Sequence, residues 1–170
     1  MPSSNRFIRL KLKSNLKPFD CGEDDLNDFF INQSKLHMKY LLAVTYALES
    51  DNETIAFYSV LNDRIERTRR ISKRLPDKKR YSTFPAVKIG RLGVHKDYQR
   101  QGYGTLLFDY IKDSFTYNNK TGCRFITVDA YNKPAGLKFY EKNGFTFISQ
   151  KDRGEETRLL YYDLMDFVKQ

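Results

Sequence analysis

Gln99, Gly102 and Gly104 fall in one short run, Gln99-Arg100-Gln101-Gly102-Tyr103-Gly104. It follows an apolar, strand-like segment and leads straight into the helical pattern Leu106, Leu107, Tyr110, Ile111. Two glycines let a backbone turn sharply and approach a ligand closely. A helix starting at once behind them aims its first unpaired N–H groups, and the positive end of its dipole, at whatever the turn holds. This combination suits a polyanion, a pyrophosphate above all. The run lacks both the third glycine of a dinucleotide fingerprint and the Gly-Lys-Ser/Thr of a nucleoside-triphosphate loop, so the carrier belongs to another class.

Residues 86–94 upstream read as a strand. Residues 125–130 downstream read as another, followed by Asn132, a helix, and Phe139-Tyr140-Glu141-Lys142-Asn143-Gly144-Phe145. With Gln99, Gly102 and Gly104 as one signature and Asn132, Ala135, Phe139, Tyr140, Gly144 and Phe145 as a second, the chain resembles the GNAT superfamily of acetyl-CoA-dependent N-acetyltransferases. Phe19-Asp20-Cys21-Gly22-Glu23-Asp24-Asp25-Leu26-Asn27-Asp28-Phe29-Phe30 is similar to the N-terminal signature of GNAT toxins that acetylate the amino group of aminoacyl-tRNA. Gly90-Arg91-Leu92-Gly93-Val94 is similar to their central strand, and free-standing relatives share both features.

The resemblance implies acetyl-CoA as cofactor. Backbone groups of Leu92, Gly93 and Val94 would bond the pantetheine arm. Gln99, Arg100, Gln101, Gly102, Tyr103, Gly104 and Thr105 would hold the pyrophosphate, and Asn132 would meet the pantetheine amides or orient the site. Tyr140, one of 12 tyrosines, would give a proton to the departing thiolate, whose free acid has a pKa of ~8.5 against ~10 for tyrosine. A base is harder to place. The central strand offers Lys88 and Arg91 but no carboxylate, which leaves Asp129, Asp97 and Asp63 as candidates. Without an evident base, a weakly basic aminoacyl amine suits the site better than a lysine side chain of pKa ~10.4.

Charge adds an acceptor. The formal net charge is +9, and residues 64–80 hold nine basic side chains (Arg64, Arg67, Arg69, Arg70, Lys73, Arg74, Lys78, Lys79 and Arg80) against Glu66 and Asp77. In the GNAT fold this stretch lies on the side from which substrates approach, so Arg91, Arg69, Arg70, Lys73 and Arg74 become candidates for phosphate contacts with RNA. The expected function is acetyl transfer to a primary amine, with the α-amine of an aminoacyl-tRNA as the favoured acceptor. Two alternatives stand beside it: a GNAT acting on a small amine or protein N-terminus, and a nucleic-acid-binding module that has lost catalysis. A toxin role would imply an antitoxin with an acidic tail, and many relatives form homodimers.

The elements that must position these residues are legible as patterns. Ile8, Leu10 and Leu12 alternate with basic residues as a half-buried first strand. A helix capped by Asp24 or Asp25 runs through Leu26, Phe29 and Phe30 toward Met38 and Leu41, with both phenylalanines as core. Residues 45–49 and 55–61 make a hairpin, 63–74 a helix, and 76–82 a loop. A helix at 104–117 and another from Pro134 to Gly144 flank the strand at 125–130. Two last strands, at 145–148 and 159–164, are joined by a charged loop. The result is one GNAT domain over residues 1–170, of α+β (α/β layered) class. Its mixed, mostly antiparallel twisted sheet has roughly six to seven strands with a V-shaped splay, flanked by about four helices. No long apolar run or signal-like N-terminus is present, so a cytoplasmic protein without membrane association is expected. Cys21, Cys123, His37 and His95 lack metal-ligand spacing, and no metal is expected.

Overall fold

Period-2 alternation builds seven strands, and the computed structural model, which describes residues 5–75 and 81–168, shows where it wins. The strands are β1 Arg6–Arg9, β2 Val44–Glu49, β3 Thr54–Glu66, β4 Thr83–Val94, β5 Phe125–Tyr131, β6 Thr146–Phe147 and β7 Thr157–Asp163. They form one sheet in the order β1-β2-β3-β4-β5-β7-β6. The pairs β1–β2, β2–β3, β5–β7 and β6–β7 are antiparallel. The helices are α1 Asp24–Asp28, α2 Ser34–Lys39, α3 Arg69–Ser72, α4 Tyr103–Tyr117, α5 Pro134–Lys142 and α6 Leu164–Val168. This is the α+β, mostly antiparallel, GNAT-like arrangement expected. Among the described residues no helix is long and apolar enough to cross a membrane.

The chain divides into two compact units, Met1–Leu61 with Ile89–Ile111, and Asn62–Lys88 with Lys112–Gln170. The first has an aromatic core. Phe19 lies 5.1 Å from both Phe30 and Phe57, centroid to centroid, and Phe29 stacks on Phe57. Leu10, Cys21 and Ala47 complete this cluster, with Ile8, Leu16, Leu26 and Met38 packed against it. Gly93 belongs here by necessity, since a Cβ on it would sit 3.0 Å from the Phe57 ring and 3.1 Å from that of Phe19. The helix over this core changes pitch: between α1 and α2 it passes through a π-helical stretch, Phe29–Gln33. There the Ser34 N–H reaches five residues back to Phe29 O, and the buried Ser34 hydroxyl donates to Phe30 O at 2.6 Å.

The second unit packs Ile65, Ile71, Phe84, Ala86, Phe125 and Tyr161 together. β5 and β7 pair over their whole lengths, from Phe125 opposite Asp163 to Tyr131 opposite Thr157. Asp163 is buried, and a buried carboxylate needs partners. It accepts from Arg124 Nε at 2.7 Å and lies 3.2 Å from Arg74 Nε.

Three expectations are corrected. Residues 63–74 are not one helix, because Ile65 is buried between exposed Arg64 and Glu66, and that alternation carries β3 on to Glu66. Only one helical turn, α3, follows, opened by Thr68 Oγ1 accepting from Ile71 N–H at 3.2 Å. The first strand ends at Arg9: Leu10 N–H still reaches Thr45 O at 2.9 Å, but Leu12 is exposed. The helix aimed at Leu41 stops at Lys39, since Leu41 takes a left-handed φ of 58°. The loop expected at 76–82 falls mostly outside the described residues, as do Lys78, Lys79 and Arg80.

Candidate active site

In the first unit, β4 hands over to α4 through residues 95–102. His95 N–H bonds Ile55 O at 2.8 Å, and a 3-10 turn, Lys96–Tyr98, follows. Arg100 (φ 60°) and Gly102 (φ 89°) then both take left-handed conformations. For an L-residue such as Arg100 this costs about 1–2 kcal/mol, and strain of this kind gathers at ligand clamps. Alternating handedness converges successive N–H groups into an anion-binding concavity. Leu106 N–H bonds Gly102 O at 3.0 Å, so Gly102, Tyr103, Gly104 and Thr105 supply the N–H groups that no carbonyl within the helix can reach. Nothing lies within 4 Å of where a Gly102 side chain would begin. The loop therefore presents donors and open space together, the shape a pyrophosphate requires.

Side chains around this loop face the protein. Gln99 Nε2 donates to Cys21 O at 2.8 Å and to Val94 O at 3.0 Å, and Gln101 Nε2 donates to Asp97 O at 2.8 Å. Tyr103 sets its ring edge-on to Tyr98, which in turn donates to Glu53 Oε1 at 2.7 Å. Leu92 and Val94 are half-buried on β4. Arg91 donates to its neighbour's carbonyl, Gly90 O, at 2.8 Å and lies over the Phe29 ring at 5.2 Å.

In the second unit, α5 begins at Pro134 and ends in a left-handed Gly144 (φ 87°). Phe145 N–H bonds Tyr140 O at 3.1 Å and Gly144 N–H bonds Glu141 O at 3.0 Å, the paired bonds of a Schellman ending. The buried Lys112 ammonium reinforces it, donating to Asn143 O at 3.0 Å while lying 4.3 Å from the Tyr162 ring centroid. Tyr140 packs between Phe139 and Phe145, at centroid distances of 5.8 and 5.6 Å. Burial there pushes its phenol up to about 12. The group stays protonated at neutral pH and can donate a proton but not take one. Asn132, at the end of β5, donates through its amide to Arg153 O at 2.8 Å and Glu155 O at 3.0 Å, pinning the charged loop.

Two of the candidate base carboxylates meet at one lysine. Lys88 Nζ is 2.7 Å from Asp129 Oδ2 and 3.8 Å from Asp63 Oδ2, and Thr127 Oγ1 donates to Asp63 at 2.5 Å. These carboxylates hold the Lys88 ammonium above its usual pKa against the opposing effect of burial. Asp97 belongs to the first unit, where its carboxylate is 3.8 Å from His95 Nδ1. Arg69 and Arg70 on α3 and Lys73 at its C-cap are exposed, and none of the three forms an ion pair among the described residues. Arg74 differs, being held by both Asp163 and Asp166. Sequence reasoning placed Asp20 and Asn27 in the N-terminal signature without giving them a role, and it missed Lys112.

Residues 41–147 match the model of the acetyltransferase (GNAT) domain family. Curated protein sequences give no match. Among solved structures, a tyrosine-to-phenylalanine variant of KacT is similar at a TM-score of 0.80 and 22% identity, over 97% of this chain and 98% of that one. AtaTR bound with acetyl-CoA matches at 0.78 and 22%, over 99% and 98%. AtaT complexed with acetyl-methionyl-tRNAfMet matches at 0.78 and 21%, over 98% of each chain.

Proposed function

The chain belongs to the GNAT acetyltransferase family, and from that premise we propose that it transfers the acetyl group of acetyl-CoA to the α-amine of an aminoacyl-tRNA. The observation that carries the reading is the pair of left-handed residues, Arg100 and Gly102, that opens a donor-lined space at the start of α4. When bound, acetyl-CoA supplies an activated acetyl thioester. N–H groups from Gly102 to Thr105 would hold the pyrophosphate, Arg100 would add charge, and backbone groups of Leu92, Gly93 and Val94 would take the pantetheine arm. The Gln99 side-chain amide is taken by Cys21 O and Val94 O and its N–H by Lys96 O, so Gln99 serves here by holding the loop in place. Tyr140 would give its phenolic proton to the departing thiolate sulfur, and the proton shed by the acceptor nitrogen would pass to solvent. A phenol is neutral across the physiological range and so has that proton to give.

The acceptor reading draws on Arg69, Arg70 and Lys73, three exposed cations at α3 with no ion pair among the described residues. It also draws on the likeness to AtaT, which has been solved with acetyl-methionyl-tRNAfMet. KacT and AtaT have each been solved with one tyrosine replaced by phenylalanine, which supports attention to Tyr140. Arg74 contributes to the fold of the basic segment through Asp163 and Asp166. AtaT is also known bound to the C-terminus of its antitoxin AtaR, and an antitoxin with an acidic tail fits the basic surface of this chain by charge. One catalytic domain over residues 1–170, able to form homodimers and placed in the cytoplasm beside its RNA substrate, belongs to the same proposal.

Purified protein incubated with radiolabelled acetyl-CoA and charged total tRNA tests it. Label should enter the aminoacyl fraction, and Tyr140→Phe and an Arg69/Arg70/Lys73 charge-neutralised variant should each lose it. A protein that binds acetyl-CoA yet leaves charged tRNA unlabelled overturns the acceptor and redirects the search to small amines and protein N-termini.

A further inference from the structure

The segment 19–28 carries a hydrogen-bond network that attaches to the first residue and to the cap of the 3-10 turn before the cofactor loop. Asp20 Oδ1 accepts from Gly22 N–H and from Asn27 Nδ2, both at 2.9 Å. Its second oxygen takes the Lys96 ammonium at 2.7 Å, and its main-chain carbonyl takes Lys96 N–H at 2.8 Å. Asn27 Oδ1 accepts from Cys21 N–H at 2.9 Å and from the Cys21 thiol at 3.2 Å. That fixes the Cys21 peptide, whose carbonyl receives Gln99 Nε2 at 2.8 Å. Lys96 opens the 3-10 turn and Gln99 caps it, and the strained Arg100 and Gly102 come next along the loop.

Both attachments are specific. Asn27 uses donor and acceptor together, so a carboxylate in its place would set two negative groups against each other, and an alanine would leave Cys21 N–H without its acceptor. The bond from Lys96 to Asp20 is charge-assisted. With the donors from Gly22 and Asn27, it holds the Asp20 carboxyl well below the usual carboxylate range, so the network is fully charged at working pH. Phe19 anchors the segment in the aromatic core, where Gly93 of β4 makes room for it.

We propose that Asp20 and Asn27 are positioning residues for the cofactor loop, fixing through Lys96 and Gln99 the angle at which residues 99–105 meet the pyrophosphate. The inference rests on the acetyl-CoA reading above. The N-terminal signature then serves to hold against relaxation a loop whose own backbone is strained.

Calorimetry and steady-state kinetics on the full chain test the inference. The unaltered protein should bind acetyl-CoA, and Asn27→Ala and Lys96→Met should each raise its Kd and KM by roughly 5- to 10-fold, about the worth of one hydrogen bond. At saturating acetyl-CoA, kcat should change less than about twofold. Lys96→Arg, which keeps a cation for Asp20, should recover most of the affinity. The Lys96 side chain is 56% exposed, so Lys96→Met remains informative even where Asn27→Ala fails to fold. Variants that melt earlier but keep the acetyl-CoA KM would overturn the positioning role and leave the network a structural one. No binding by the unaltered chain would overturn the acetyl-CoA reading itself.

Discussion

Replacing Gly102 by alanine separates two demands on one position. The residue sits at φ 89°, and the space where a side chain would begin holds no protein atom within 4 Å. The fold therefore meets only the backbone cost of an L-residue in a left-handed conformation, about 1 kcal/mol. The ligand meets more. Phosphate oxygens must come within about 2.7–2.9 Å of the N–H donors, and the new methyl stands in that approach. Losing one hydrogen bond to a charged oxygen costs about 1.5–3 kcal/mol, or roughly 10- to 150-fold in Kd. Urea denaturation should show a loss near 1 kcal/mol, while calorimetry with acetyl-CoA shows the larger effect. The decisive comparison uses S-acetyl-N-acetylcysteamine, a thioester without pyrophosphate, for which kcat/KM should fall less than about threefold. If both donors lose equally, or if acetyl-CoA affinity is unchanged, residues 99–105 do not cradle the pyrophosphate.

Other positions give sharper contrasts. Gly144→Ala combines a left-handed φ with a Cβ only 2.9 Å from the Tyr162 ring and should cost about 2–4 kcal/mol in urea denaturation. Gly136→Ala, inside α5 with nothing within 4 Å, should add about 0.5–1 kcal/mol. Burial pushes the Cys123 thiol from 9.0 up to about 11 and raises Cys21 as well, so iodoacetamide should modify native protein slowly at neutral pH and faster from pH 9 upward. Because the folded-state value of Cys123 is raised, its contribution to stability is complete below about pH 9 and is lost as pH climbs through 11. Cys123→Ala should flatten that alkaline limb. Neutralising Arg69, Arg70 and Lys73 should lower the slope of log Kd against log salt for charged tRNA by up to about 2.5; an unchanged slope would remove these three from the RNA contact.

The turn at Gly102 was readable because a left-handed residue ahead of a helix demands glycine, and few other residue types meet that demand. The side chains beside it were not. A glutamine in a phosphate-loop pattern reads the same whether its amide faces ligand or protein, and Gln99 faces two carbonyls, one of them 78 residues away in sequence. Arg74 reads as one more cation in a basic run until Asp163 and Asp166, far along the chain, claim it. Lys112 looks like a solvent-facing helix residue because its partners, Asn143 and Tyr162, arrive only with tertiary structure. The strand through residues 62–66 was hidden by its polar alternates, with Ile65 the one fully apolar inward residue in that stretch.

The π-helical stretch Phe29–Gln33 bears on how chains of this kind should be compared. A π turn carries one residue more than an α turn. Losing a single residue between Phe29 and Gln33 would remove the wide turn and restore ordinary pitch, while the residues after it kept the helix faces they now occupy. Met38 would then stay on the face that packs against the aromatic core. A related sequence one residue shorter here is therefore better aligned with a gap inside 29–33 than by sliding α2 along. Ungapped comparison would match residues from different faces of the helix and make a conserved core look variable.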